Sequence, residues 1–275
     1  MPGAGLRTMS LRWLRASMQP ATVLGLMMIA ACWLALAYIL SIERSKSVEG
    51  AIQQGANLAR LFEENTISTL DGVDRAMLLL REAYERDPDN FDLRDWSNRT
   101  ALIGDLTIQM GVVGADGVAT GRTTLALGPD WTPIYVGGRE YFQAQRNTDT
   151  DRLFIGKPIL RRGSDKMAFH LSRRLRNPDG SFAGVLVASI DPNFVERFFR
   201  AVDLGPHGSV LLRSLDGVIM ASRGVSGMTV GRQVMQSGLR EALARGASGH
   251  YWGNGALMVS TGWCPIGPPT IFRFW

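Results

Sequence analysis

Three histidines, two cysteines and scattered carboxylates are the residues of this 275-residue chain that could do acid–base or metal chemistry. His170 lies in a strand-like run, His207 in a Gly-Pro-His-Gly turn and His250 near the C-terminus, far from one another in sequence. Each reads as a structural or solvated histidine. Cys32 sits in an apolar run and Cys264 near the end, so no disulfide is expected and no Cys/His cluster has metal-site spacing. The acidic residues are spread along helices and turns, with no pair set for general acid–base work. Nor is there a G-x-S-x-G, H-E-x-x-H, P-loop or dinucleotide-binding glycine pattern. The patterns assign no catalytic residue, no metal and no cofactor, and the chain is read as a non-enzyme.

The arrangement that must position any site begins with an apolar run. Arg15 to Glu43 encloses no charged residue, and Ala21 to Leu40 is almost wholly apolar. About 20 such residues, at ~1.5 Å each, match a ~30 Å hydrocarbon core. Arg7, Arg12 and Arg15 precede the run without an acidic residue, which by the positive-inside rule puts the N-terminus in the cytoplasm. The expectation is a single-pass protein of a bacterial inner membrane, its main domain in the periplasm. A cleaved leader, with Ala35-Leu36-Ala37 as the cleavage box, is the alternative, but secretory cores are usually about 7–15 residues. The net charge of +5 is modest. Arg161-Arg162 and Arg173-Arg174 read as solvated strand ends or turns, and an extracytoplasmic place argues against nucleic acid.

After the anchor, Val48, Ile52, Ala56, Ala59, Phe62, Thr66, Leu70, Val73, Met77, Leu80 and Tyr84 recur every three or four residues. They predict a stalk or spine helix to Arg86, stopped by Asp87-Pro88. A shorter helix is expected over 91–105. Strand and turn signals follow, with Asp116-Gly117-Val118 and Asp216-Gly217-Val218 each closing an apolar strand. That repeat suggests two similar lobes in tandem; chance recurrence of a common turn is the other reading. Between the turns, 153–160, 167–175 and 182–190 read as an antiparallel meander, the last two runs joined by Asn177-Pro178-Asp179-Gly180. Helices are expected over 192–202 and 231–245. The fold class is α+β, with these segments: 1–15 cytoplasmic, 16–42 transmembrane, 43–86 spine, 87–202 distal lobe, 203–262 proximal lobe and 263–275 an atypical tail.

Gly138-Arg139-Glu140-Tyr141-Phe142 leads, through Phe154-Ile155-Gly156-Lys157-Pro158 and Phe169-His170-Leu171-Ser172, to the Asn177–Gly180 turn and Gly184–Pro192. This series resembles the extracytoplasmic double Cache sensor region of bacterial histidine kinases and diguanylate cyclases. The resemblance covers about 41–249. It implies two PAS-like lobes on one spine, with a small-molecule pocket in the membrane-distal lobe. It also implies that Arg139 opens a short helix over the distal sheet and holds a ligand carboxylate, for which a planar guanidinium offers two parallel hydrogen bonds. Tyr141 and Phe142 match an aromatic pair that walls the pocket, and Lys157, His170 and Ser172 are candidates to complete it. A surface salt bridge of Arg139 with Glu140 or Asp149, and ordinary core packing of the two aromatics, are the other readings.

The family often has aspartate where Gly138 stands. Its amino-acid binders carry a tyrosine and an aspartate at the positions of Ile159 and Ser189. Serine supplies no charge for a ligand ammonium, so an organic acid or other anion is the favoured ligand. The tail after Gly262 reads neither as a closing strand nor as a membrane span. It suggests a truncated gene that lacks the output kinase or cyclase, leaving a sheet edge open. The partners expected are a small molecule, the membrane, and a second copy or a full-length relative in a dimer. A scaffold that binds through its stalk helix and holds no ligand is the rival function.

Overall fold

A computed structural model describes residues 20–99, 108–123, 132–160, 166–193, 209–214, 216–224, 229–234, 249–253, 256–260 and 272–274. The chain falls into two units, Met1–Gln54 and Gly55–Trp275. Helix α1 (Pro20–Arg86) joins them. In the first unit its apolar side chains face outward; Leu34 is 72% exposed, and Leu24, Leu26, Met28 and Trp33 are similar. Mean hydropathy reaches 2.4 over 18 residues, so among the described residues this is the one helix long and apolar enough to cross a membrane.

In the second unit the predicted stripe of α1 is the buried one: Ala59, Phe62, Thr66, Leu70, Val73, Met77 and Leu80 are all enclosed. The helix ends at Arg86, ahead of Pro88, where Asn90 donates to the Asp87 carboxylate. Helix α2 (Leu93–Arg99) realises part of the predicted second helix; 100–107 lie outside the described residues.

Strands β1 (Ile108–Gly114), β2 (Ala119–Thr123), β3 (Phe154–Ile155), β4 (Ile159–Leu160), β5 (Met167–Arg176) and β6 (Phe182–Ile190) form an antiparallel sheet in the order β2-β1-β6-β5-β3, with β4 also on β5. Helix α3 (Glu140–Arg146) crosses it. The predicted strand over 153–160 is divided at Gly156-Lys157-Pro158, since proline has no N–H for a ladder. The β5–β6 hairpin closes as expected. Gly180 donates to Asn177 O at 2.8 Å with φ +82°, and Asn177 N donates to Ser181 O at 3.0 Å.

Strands opposite one another share a face. Met110, Val112, Leu171, Leu186 and Ala188 face the spine helix in one apolar core with Phe62, Leu70, Val73 and Met77. Gln109, Gly111, His170, Ser172, Val187 and Ser189 occupy the other face, toward α3.

Strands β7 (Val210–Ser214) and β8 (Ile219–Arg223) begin a second antiparallel sheet, and β9 (Gly249–Gly253) pairs with β10 (Ala256–Ser260). The two Asp-Gly-Val turns are built alike, which supports the repeat. Gly117 and Gly217 have φ of +81° and +87°. Gly114 N donates to Val118 O and Ser214 N to Val218 O, both at 2.9 Å. Val136 N reaches Gly117 O at 2.8 Å, and Val234 N reaches Gly217 O at 2.9 Å. Chance recurrence of the tripeptide does not produce the same bonds from a distant segment. Two expectations change here. Gly231–Val234 is a turn and a bridge to Val218, not a helix start, because Gly231 is at φ +85°; 235–248, like 194–208, lie outside the described residues. The tail does supply a strand: β11 (Phe272–Phe274) pairs antiparallel with β7, at whose edge it finds unpaired backbone groups.

Charged side chains tie the first sheet to the spine. Arg173 is 6% exposed, in contrast to the solvated role expected from sequence. Its Nε and Nη2 donate to the two oxygens of Asp74 at 2.6 and 2.7 Å, and its Nη1 to Asp151 at 3.0 Å. Asp151 also takes a bidentate pair from Arg81. That hydrogen bond from Arg81, followed by the charges of Arg81, Arg173 and Arg176, holds the Asp151 carboxyl below the usual range despite partial burial, and Arg81 is raised in turn. A carboxyl depressed by folding binds fewer protons folded than unfolded. The tie is therefore complete above about pH 4 and lost as pH falls through the folded value. In acid titrations followed by hydrogen exchange of residues 147–153, Asp151→Asn is expected to flatten the response below that pH. A wild-type-like slope in the variant would rule this out.

Candidate functional site

The α3 face of the first sheet is not filled. A cavity of about 230 Å³ opens there, lined by Gln109 and Gly111 of β1, Val187 and Ser189 of β6, His170 of β5 and Ile159 of β4. Ile134, Val136, Arg139 and Tyr141, from the segment entering α3, cover it. That segment is held by Ala119 N donating to Ile134 O at 2.9 Å and by the Val136–Gly117 bond. Arg139 is the N-cap residue of α3, with extended backbone (φ −76°, ψ 145°) and no side-chain capping bond. Its backbone carbonyl accepts from Phe142 and Gln143, which turns the chain into the helix and leaves the guanidinium on the cavity side.

The six sequence candidates divide evenly. Arg139, Tyr141 and His170 line the cavity. The Tyr141 and His170 rings stack, with centroids 4.9 Å apart and planes 19° apart. Arg139 is half-buried, and among the described residues its guanidinium makes no ion pair or hydrogen bond. Of the two salt-bridge partners considered, Glu140 makes no ion pair with Arg139 among the described residues, and Asp149 binds Arg176 at 2.7 Å. Phe142, Ser172 and Lys157 are elsewhere. Phe142 is wholly buried against Val113 and Val185, edge-on to Phe182, because consecutive helix positions are turned about 100° from each other. Ser172 has the right strand parity but lies beneath the helix, where its hydroxyl donates to Tyr141 O at 2.8 Å. Lys157 turns to Asp216 at 2.5 Å.

Those displaced residues still shape the site. Ser172 fixes the turn of α3 that carries Tyr141, and Gln145 Nε2 donates to Ser172 O at 2.7 Å. Arg174 Nη1 donates to Gln145 O at 2.8 Å, at the C-terminal end of α3, where carbonyls lack helical partners. Gln109, Val187, Ile134 and Val136 were not singled out from sequence. Gln109, a polar residue opening an apolar strand, was the available signal. Val136 and Ile134 carried none, since only the register to the Gly117 turn brings them over the sheet.

With one cation beside neutral polar groups and an apolar wall, the cavity suits a small molecule with a negative end. The sequence matches no protein-family profile and no curated protein sequence. Solved structures do match. The extracellular domain of a protein described as a histidine kinase, rpHK1S-Z16, superposes with a TM-score of 0.69 at 25% identity, over 82% of this chain and 94% of that one. The fold resembles the extracellular domains of histidine kinases and chemoreceptors and is consistent with a Cache-type sensor domain. The ligand-binding domain of the Pseudomonas fluorescens chemoreceptor CtaA, in complex with L-isoleucine, superposes with a TM-score of 0.60 at 14% identity, over 84% of this chain and 93% of that one. The ligand-binding domain of the Pseudomonas aeruginosa receptor PctC, in complex with GABA, gives 0.57 at 15%, over 82% and 97%. These neighbours are sensor domains rather than catalytic ones. The likeness to extracellular sensor domains and an N-terminal helix long and apolar enough to cross a membrane are together consistent with a membrane protein that carries a sensor domain.

Proposed function

We propose that the protein senses a small anion, a carboxylate above all, in the periplasm, with Arg139 as the anion-holding residue. The observation that carries this reading is a half-buried guanidinium on a cavity wall with no protein anion among the described residues. A buried cation is costly without a counter-charge, and a ligand carboxylate supplies one through paired hydrogen bonds. Tyr141 and His170 form an aromatic wall, and Ser189 and Gln109 offer neutral polar contacts opposite. No carboxylate lines the cavity among the described residues. An amino acid would bury its ammonium unpaired there, so an organic acid is favoured over the amino-acid ligands of several neighbours. In this reading the distal lobe is 87–202, the proximal lobe starts at 203 and takes in the tail strand Phe272–Phe274, and the N-terminus is cytoplasmic. The rival scaffold function calls for a site filled by its own side chains, which a 230 Å³ cavity does not favour.

The test is a thermal-shift screen of the detergent-solubilised chain against mono- and dicarboxylates and amino acids. A ligand at about 100 times its Kd should add about 2.7 kcal/mol of stability by mass action. Arg139→Ala is expected to abolish the shift for every carboxylate hit. A shift that survives in the variant removes Arg139 from the site.

A further inference from the structure

The short strand β4 is a wall with two sides. On one side Ile159 and Leu160 line the cavity. The residues just before them touch the second sheet. Lys157 Nζ lies 2.5 Å from Asp216 Oδ2, in the second Asp-Gly-Val turn. A Cβ on Gly231 would stand 2.6 Å from Met167 Cε and 3.5 Å from Pro158 O. Met167 is the register partner of Leu160, and Ala168 that of Ile159. The contact is therefore made by the residues adjoining or paired with the two that border the ligand space.

Both partners on the far side are held in place. The Ser214 hydroxyl donates to Asp216, and Gly231 N donates to Ile219 O at 2.8 Å. Lys157 is raised by its hydrogen bond to Asp216 against the effect of burial. Burial pushes Asp216 up, but the hydrogen bonds from Lys157 and Ser214 outweigh it and hold the carboxyl down. Both groups are half exposed, so water screens the ion pair and keeps it weak. A contact of that strength can open and close with modest ligand energy, whereas a buried pair would stay shut.

We infer that β4 is the element that reports occupancy of the cavity to the second sheet, with Lys157–Asp216 as an ionic latch and Gly231 against Met167 and Pro158 as its seat. Lys157 is a positioning residue in this scheme and does not touch the ligand. The inference builds on the sensor reading for its purpose, but its test needs no ligand, so the two can fail separately.

The experiment uses the full chain in lipid nanodiscs and reads amide hydrogen exchange. Ser189→Phe fills the cavity from β6, away from β4. It is expected to change exchange at Ile219 and Val234 by about threefold, and Lys157→Met in the same chain should remove that response. Retained protection of β5 and β6 certifies the fold; with it intact, unchanged exchange at both amides overturns the inference. Asp216→Asn leaves the cavity residues untouched and covers the case in which Ser189→Phe does not fold. Coupling is reciprocal, so loosening the latch should speed exchange at Leu160 about threefold or more. Wild-type exchange at Leu160 in Asp216→Asn would equally overturn it.

Discussion

Arg173→Ala is expected to lower the stability of the sensor-like domain by about 3–5 kcal/mol, the cost of breaking a buried ion pair and stranding its partner. Arg173 is enclosed between β5 and the spine, and its fork meets both oxygens of Asp74. Removing it leaves Asp74, itself largely covered, without its two-oxygen partner. Hydrogen-exchange protection of the β5 and β6 amides should fall by about 10²–10⁴-fold. Arg173→Lys should recover only part of the loss, because an ammonium cannot reproduce a planar two-oxygen contact. The double variant Asp74→Ala with Arg173→Ala should be less damaging than the two single losses summed, since both charges leave together. A single-variant loss under about tenfold would mean that water reaches the pair and that the tie between sheet and spine lies elsewhere.

Gly184→Ala is the second large effect. Gly184 sits in β6 opposite Gly114 of β1 and Leu175 of β5. Its φ is +139°, and a Cβ would stand 2.2 Å from Val113 O. The methyl meets backbone of the adjoining strand, which cannot swing away. Strain at this dihedral costs about 1–3 kcal/mol, and overpacking adds about 1–3 more. We expect thermal unfolding of the variant well below the wild-type transition, with β1–β6 exchange the first to be lost. Gly180→Asn is the matched control: φ is +82° but nothing stands within 4 Å, and asparagine tolerates the left-handed region. Equal losses at the two positions would mean that backbone dihedral alone, and not the close approach of β1, sets the cost.

Some of this architecture was legible because the signals are local. An unbroken apolar run, a stripe at helical spacing and an Asp-Gly turn each act through neighbours in sequence. Hence the span, the buried face of α1, the β5–β6 hairpin and the repeat of Gly117 and Gly217 follow from the chain itself. The Arg139-x-Tyr141 segment likewise marks the start of α3, through a helix onset that spans only a few residues.

The remainder depends on side chains from distant strands meeting across a sheet, and no local pattern carries that. Ser172 and His170 have the same strand parity; only the seat of α3 decides that His170 borders the cavity and Ser172 lies beneath the helix. Lys157 falls inside the predicted strand over 153–160, yet the turn at Asp216 draws it to the second sheet. Arg173 reads as a surface cation until Asp74, 99 residues earlier, closes over it. The strand of the tail is a further case, for Phe272–Phe274 pairs with an edge that its own sequence does not reveal. Periodicity along a chain determines which face of an element is apolar; register and packing between elements determine which polar groups on that face meet solvent, ligand or one another.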